Sequence, residues 1–436
     1  MHLLLQLIVL FLAFNSHEYK PVEAYVLPYS SLAIPINKHT DAAKPLYSLQ
    51  IMTSYLMMGF VTTNYLIDLD APFIWHDCIV QSNTSLFSCP ANKLCAYPVS
   101  CEDGQCTDFR TTYAYENPSC APVTNRSMVP GWYPCTCPIN VVNPLTGSCS
   151  KALLNIDDFT VQTSNGRNIL TPYYGIVPYA ACAPSSSFQS FPANVSGVMA
   201  LSTSPYALPA RLRDPLKGVM ALCLPSTLSA PGVLLYGNGP YYFLPNSDID
   251  VMSFLSYTPL IQHPDSYGYF VGIHAIIIKK RSIDIPMNST TKLSTIDPYT
   301  TLRTDIYKSV IRRFSKVTKR IPPAEPVAPF GLCFNTSTNG DQVSLKVPDI
   351  HFVLQGGKSW TISTSNSIKQ ITKVVACLAF VDGGAASDIA IVIGTFQFED
   401  NFLLFDHINS TLGFSSSLLG KQTSCSNFNF MVTDSN

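Results

Sequence analysis

Apolar residues in this chain fall in short runs, separated by clusters of Pro, Gly, Asn and Ser, and most of the runs are rich in Val, Ile, Thr, Tyr and Phe. That pattern predicts a mostly β protein. Gly232–Gly237, Tyr269–Ile278 and Ile389–Ile393, the last running into Gly394, read as buried strands. Phe159–Gln162 and Asn168–Leu170 are shorter candidates, and Gly197–Leu201 combines small and apolar residues suited to close packing under a loop. One segment keeps helical spacing. Thr304 is a candidate N-cap, and Ile306, Val310, Phe314 and Val317 follow at intervals of four, four and three. The opposite face carries Lys308, Arg312, Arg313, Lys316, Lys319 and Arg320, a solvated face on the plain reading and a docking surface on the other.

The 436 residues are ample for two domains. An Ile-Asp segment followed later by an apolar run with a small residue at one end occurs in each half, which suggests a duplication. The expected division is residues 25–217 and 218–436, with a loop-rich, cysteine-dense insert over 78–150, where Pro98, Pro118, Pro122, Pro130 and Pro134 argue against long regular elements. Charged residues are only 13%, and a net charge of -1 gives no reason to expect a nucleic-acid partner. At the N-terminus, Leu3–Phe14 is almost wholly apolar and Val22-Glu23-Ala24 has the small-residue pattern of a cleavage site. A run of that length is too short to span a bilayer. Residues 1–24 are therefore expected to be a signal peptide, and the mature protein to be secreted and extracellular, with no membrane contact after cleavage.

Fourteen cysteines fit an oxidising compartment. Nine lie from Cys78 to Cys149, so at least one pairs outside that cluster, with Cys182 if all fourteen pair. Without a Cys-x2-Cys, and with only Cys135 and Cys137 in Cys-x-Cys spacing, disulfides are favoured over zinc. Glycosylation sequons stand at Asn83, Asn125, Asn194, Asn288, Asn335 and Asn409. Other chemistries find little support. There is no Gly-x-Ser-x-Gly, the histidines show no metal spacing, and His76 reads as structural. Gly356-Gly357-Lys358-Ser359 lacks the first Gly and the helix of a phosphate loop and reads as a hairpin turn. Neither cofactor nor metal is expected.

Ile391–Gln397, Asn401–Asp406 and Leu412–Ser415 together resemble the C-terminal signature of pepsin-like aspartic proteinases. Asp77-Cys78, Gly239–Pro245, Tyr257–Leu260, Val327–Phe334 and Cys425–Phe430 narrow the likeness. They resemble the plant extracellular dermal glycoprotein and basic 7S globulin group, which includes inhibitors of microbial xylanases and xyloglucan-specific endoglucanases. The likeness extends from Pro28 to Phe430. It implies a bilobal β fold around a central cleft, with disulfides Cys223–Cys425 and Cys333–Cys377.

In working proteinases each lobe supplies an Asp to the cleft floor. The corresponding positions here are expected at Asp68, in Ile67–Trp75, and Asp297, in Thr295–Leu302. Two carboxylates must share one proton, one acting as base toward water and the other as acid. The hydroxyl and Gly that normally follow each Asp hold the pair coplanar, and a misplacement of about 1 Å can cost on the order of a hundredfold in rate. Here Leu69-Asp70 and Pro298-Tyr299 follow instead. The flap stretch Asn140–Gly147 also lacks the Tyr that proteinases place over the site. Asp68 and Asp297 are thus expected to be vestigial, with Asp297 capping a turn before Pro298, and the protein not to be an enzyme. The resemblance then implies a monomer that binds and inhibits a secreted microbial glycoside hydrolase by presenting a basic side chain to its paired carboxylates. Arg320, with Lys319 and ahead of Pro322-Pro323, is the favoured element. Lys421 and Gln422 in the loop before Cys425 form the other. The alternatives are an aspartic endopeptidase with atypical motifs and a storage or peptide-binding cell-wall glycoprotein.

Overall fold

The computed structural model describes residues 29–431, except 43, 56–57, 80–89, 91–92, 96–97, 117–119, 122–134, 213–215, 217, 247, 287–288, 339–340 and 343–344. The proposed signal and the sequons at Asn83, Asn125 and Asn288 lie outside the described residues. The architecture is mostly β and bilobal. A long sheet passes from the N-terminal half into the C-terminal half through the strand Ser31–His39, which pairs antiparallel with Gly232–Gly237 on one side and with Leu46–Tyr55 and Asp158–Ser164 on the other. Strands Val219–Cys223, Phe402–Asp406 and Thr411–Phe414 extend this sheet in the C-terminal half. The apolar run at 232–237 is buried at every position, as its lack of alternation requires.

Each half repeats one arrangement. In the first, Val195–Ala200 lies between Met58–Asp68 and Ile74–Asp77, parallel to the former and antiparallel to the latter. In the second, Ile391–Ile393 lies between Thr291–Leu293 and Thr300–Leu302 with the same polarities. The duplication suggested by the sequence is therefore present as a repeated strand pattern, and the turn after the first strand of each triplet faces the cleft. Gly394 sits where a side chain has no room, since a Cβ would come within 2.6 Å of the Asp297 carbonyl oxygen.

The halves are also tied by a buried ion pair. Lys38 Nζ lies 2.9 Å from Glu399 Oε1, which also accepts from the Tyr47 hydroxyl at 2.7 Å. Disulfides Cys223–Cys425 and Cys333–Cys377 brace the C-terminal half. Cys78 ties the insert to Cys182 of strand Tyr179–Ala183, and Cys101–Cys135, Cys106–Cys137 and Cys120–Cys149 cross-link the insert within itself. Contrary to the expectation for that insert, it contains a helix, Gly104–Glu116, in the proline-free stretch between Pro98 and Pro118. The helix expected from Thr304 spans Thr304–Val317 and buries Ile306, Val310 and Phe314. Thr304 is its first residue rather than its N-cap, and its hydroxyl donates to Asp382 Oδ1 at 2.6 Å instead of closing the helix end. Gly356 and Gly357, both at positive φ, form the turn between strands Ile350–Leu354 and Ser359–Ile362.

His76 is fully buried. Its Nδ1–H donates to the Asp77 carbonyl at 3.0 Å, and its Nε2 lies 2.7 Å from Asp157 Oδ2. Burial disfavours the imidazolium, but the charge and hydrogen bond of Asp157 outweigh it and raise the pKa above 6.5. A raised folded pKa means that this stabilisation is complete below pH 6.5 and fades as pH rises through the folded value. Asp157→Asn should therefore lower stability by about 2–4 kcal/mol at pH 6, and by less at pH 9. Thermal unfolding across that range measures the difference.

Candidate functional site

Asp68 ends its strand at the cleft floor and is 8% exposed. Its Oδ1 accepts the Asp70 N–H at 2.8 Å. Burial drives its carboxyl up to about 6 and the Asp70 charge adds to that rise, while the N–H groups of Asp70 and Ala71 and the Lys292 cation pull the other way.

The position facing Asp68 is held by Ser294. Ala200 opposes Asp68 in the first parallel pair and Ile393 opposes Leu293 in the second, so Gly394 and Ser294 are the next matched positions. The hydrogen bonds agree. Ser294 Oγ accepts from Ile296 N at 3.2 Å, two residues on, just as Asp68 accepts from Asp70 N. Thr295 then occupies the place of the hydroxyl residue after the second Asp. Its Oγ1 crosses between the halves, accepting the Leu69 N–H at 3.2 Å and donating to the Ile67 carbonyl at 2.8 Å. Leu69 has no hydroxyl to return the bond. Asp297, expected as the second aspartate, lies three residues further along, and its Oδ2 accepts the Ser294 hydroxyl at 2.8 Å within the 294–297 turn. Pro298 and Tyr299 consequently do not replace the hydroxyl and Gly. Thr295 keeps that hydroxyl, and the loss on this side is the carboxylate itself.

Asp70 spans the cleft. It forms an ion pair with Lys292 of the opposite half and accepts the Ser266 hydroxyl at 2.6 Å. Gly268 makes room for this reach, because a Cβ there would lie 2.9 Å from Asp70 Oδ1. Lys292 thus offsets part of the extra negative charge expected beside Asp68. On one side of the bridge is a cavity of about 330 Å³ lined by Asp68, Trp75, Val142, Pro144, Ser294 and Asp297. On the other is one of about 890 Å³ lined by residues including Ser204, Gln262, His263, Ser266, Tyr267 and His407. The hairpin Pro138–Val142/Cys149–Ile156 overhangs the smaller cavity through Val142 and Pro144, with no Tyr at its tip. Asn143 pins that tip, donating to Ser187 O at 3.0 Å and Ser190 Oγ at 2.9 Å. Among the described residues, no group of three or more His, Cys, Asp or Glu side chains could hold a metal.

The other candidates are elsewhere. Lys319 and Arg320 are exposed just past the helix. Lys421 is exposed with its Nζ 5.0 Å above the Phe254 ring, its carbonyl accepts from Asn246 Nδ2 at 3.2 Å, and Gln422 beside it has a left-handed backbone at φ 59°. None of the four lines the cleft cavity. Asn194, Asn335 and Asn409 are exposed. Sequence reasoning missed Ser294, Thr295, Lys292 and Ser266. The first two are located by the strand register at Ala200 and Gly394, and nothing local marks the last two.

A folded pKa of about 6 against 3.8 for the free side chain makes ionised Asp68 a cost to folding that grows between those values and is constant above them. Asp68→Asn should therefore stabilise the protein at pH 7 by about 2–3 kcal/mol and give no gain at pH 3.5. Denaturant titrations at the two pH values measure this.

A xylanase inhibitor N-terminal family model matches residues 55–238, and a xylanase inhibitor C-terminal model matches 268–416. A rice (Oryza sativa subsp. japonica) protein named chitinase CLP is 32% identical over 90% of both chains. A Nicotiana benthamiana protein named probable aspartic proteinase GIP2 is 33% identical over 92% of both. The crystal structure titled edgp superposes with a TM-score of 0.77 at 31% identity, over 93% of this chain and 99% of that one. Given the repeated strand triplet, the single-sided Thr295 tie and these matches, the chain belongs to the xylanase-inhibitor, dermal-glycoprotein, basic 7S globulin and gamma-conglutin group of pepsin-like aspartic-proteinase homologues.

Proposed function

We propose that this protein is a secreted, catalytically inactive proteinase homologue that binds and inhibits a microbial cell-wall glycoside hydrolase of the xylanase or xyloglucan endoglucanase class. The observation that carries the inactive part is Ser294 in the place of the second carboxylate. A hydroxyl cannot share the proton of Asp68 and alternate as acid and base with it. The Asp70–Lys292 bridge supports the same reading, because it joins the two halves beside Asp68, at the floor that a substrate would have to reach. Disulfides and the buried Lys38–Glu399 pair favour a stiff scaffold, which suits inhibition, since little ordering entropy is then lost on binding.

Inhibition works by setting a cation between the two carboxylates of the target glycosidase. Arg320 is the preferred residue. It is exposed, its fork matches a carboxylate, and Pro322-Pro323 stiffen the chain that follows it. Lys421 is the weaker candidate, lacking the fork and resting on Phe254. A second reading, residual acid proteolysis, draws on the intact Thr295 tie and on the raised pKa of Asp68.

Fungal xylanases and xyloglucan-specific endoglucanases assayed with the purified protein provide the test. At least one should be inhibited at micromolar protein or below, with Arg320→Ala weakening inhibition about tenfold or more and Lys421→Ala less. Absence of inhibition across the panel, or pepstatin-sensitive peptide cleavage at acid pH that Asp68→Asn abolishes, would overturn the proposal.

A further inference from the structure

The chain is nearly neutral overall, yet nine of its 27 Lys and Arg residues lie in two short segments, 279–281 and 308–320. The fold brings these segments together. Strands Ile273–Ile278 and Arg281–Asp284 form a hairpin whose two-residue tip is Lys279-Lys280. Arg313, from helix Thr304–Val317, donates to the carbonyls of Ile278 at 3.1 Å and Lys279 at 2.8 Å, so the helix lies against the tip. Lys308, Arg312 and Lys316, four residues apart and all exposed, form a stripe of charge about 12 Å long on the solvent face of that helix. The acids within these elements offset only part of it. Asp305 is paired with Arg303, and Asp284, bonded to the Ser282 hydroxyl, leaves one negative charge at the end of the hairpin away from the tip.

Two features of the tip oppose stability. Lys279 and Lys280 have φ of 47° and 63°, the left-handed conformation that a two-residue hairpin normally assigns to Asn-Gly. Arg313 also brings a fourth cation against Lys279, Lys280 and Arg281 when a neutral donor would satisfy the same carbonyls. Strain and like-charge crowding held together at an exposed tip point to a use for the charge.

We propose that the 279–281 tip and the 308–316 helix face form a docking surface for a linear carboxylated polysaccharide. Exposed cations in a row along a helix face and a hairpin tip fit a chain of regularly spaced carboxylates. None of the exposed large apolar side chains falls in 279–284 or 304–320, so the surface lacks the anchors that a membrane-binding patch inserts into lipid. The disulfides place the chain in an oxidising compartment, where a polyanion of this kind is a polysaccharide rather than a nucleic acid. The surface is independent of the cleft and leaves out Arg320.

The test is binding of the full protein to polygalacturonate, with fully methyl-esterified polygalacturonate and phosphatidylserine vesicles as comparisons. Binding should be specific to the free acid and weaken at least about tenfold between 0.05 and 0.5 M salt. The double variant Lys279→Asn, Lys280→Gly should bind at least about fivefold more weakly while melting at the same or a higher temperature. Arg312→Gln with Lys316→Gln, on an exposed helix face where folding is not at stake, should also weaken binding, and neither pair should change inhibition of a glycoside hydrolase. Equal binding of the methyl ester, capture by vesicles but not by polygalacturonate, or unchanged affinity in both double variants would each overturn the proposal.

Discussion

The hydroxyl of Thr295 reaches from one half of the molecule into the other and bonds both the N–H of Leu69 and the carbonyl of Ile67. The rest of the cleft depends on this tie. It holds the two turns that follow the repeated parallel strands face to face, and so decides which side chains meet at the floor. In a symmetric site the tie would be returned from the other turn. Leu69 cannot return it, and the asymmetry continues outward, with a carboxyl at Asp68 facing a hydroxyl at Ser294. One half-grip is enough to align two lobes that a shared sheet and the Lys38–Glu399 pair already hold together.

A carboxyl buried without a second one to share its proton has a physical consequence. Asp68 stays neutral well above the ordinary range of an Asp, because burial and the Asp70 charge outweigh the two N–H groups and the Lys292 cation. Asp70, standing at the position where close-approaching backbone is usual, has become a strut between the halves, held by Lys292 and Ser266. This strut borders the smaller hollow, as does the flap hairpin pinned at Asn143. The hydroxyl facing Asp68 and the strut beside it are separate departures, one at Ser294 and the other at Asp70 with Lys292.

What the scaffold presents instead is surface. The basic hairpin tip and helix face lie on the C-terminal half, outside the cleft, and they concentrate positive charge on a chain whose total is close to zero. Field at such a surface acts over about a Debye length, roughly 10 Å in moderate salt, so it works by attraction and retention rather than by a shaped pocket. The loop bearing Arg320, proposed above for recognition, shares no residue with it.

The sequence alone was sufficient for the class of fold, since short β-branched runs broken by turn formers leave little alternative to a β architecture, and for the helix at 304–317, whose apolar spacing has one period. Asp68 was legible for the same reason, because it sits at the end of its own apolar strand. Its partner was not. The likeness of Thr295–Leu302 to Ile67–Trp75 singles out Asp297, but which residue faces Asp68 is set by the register of Ile391–Ile393 against Thr291–Leu293, 100 residues apart in the chain. Ser294 carries no mark of its own in sequence. The same holds for the Asp70 bridge and for the union of Lys279-Lys280 with Arg313, whose partners are distant along the chain and adjacent only once the strands pair. Local order follows from neighbours a few bonds away; the identity of the site follows from backbone hydrogen bonds between segments that nothing short of the folded chain brings into contact.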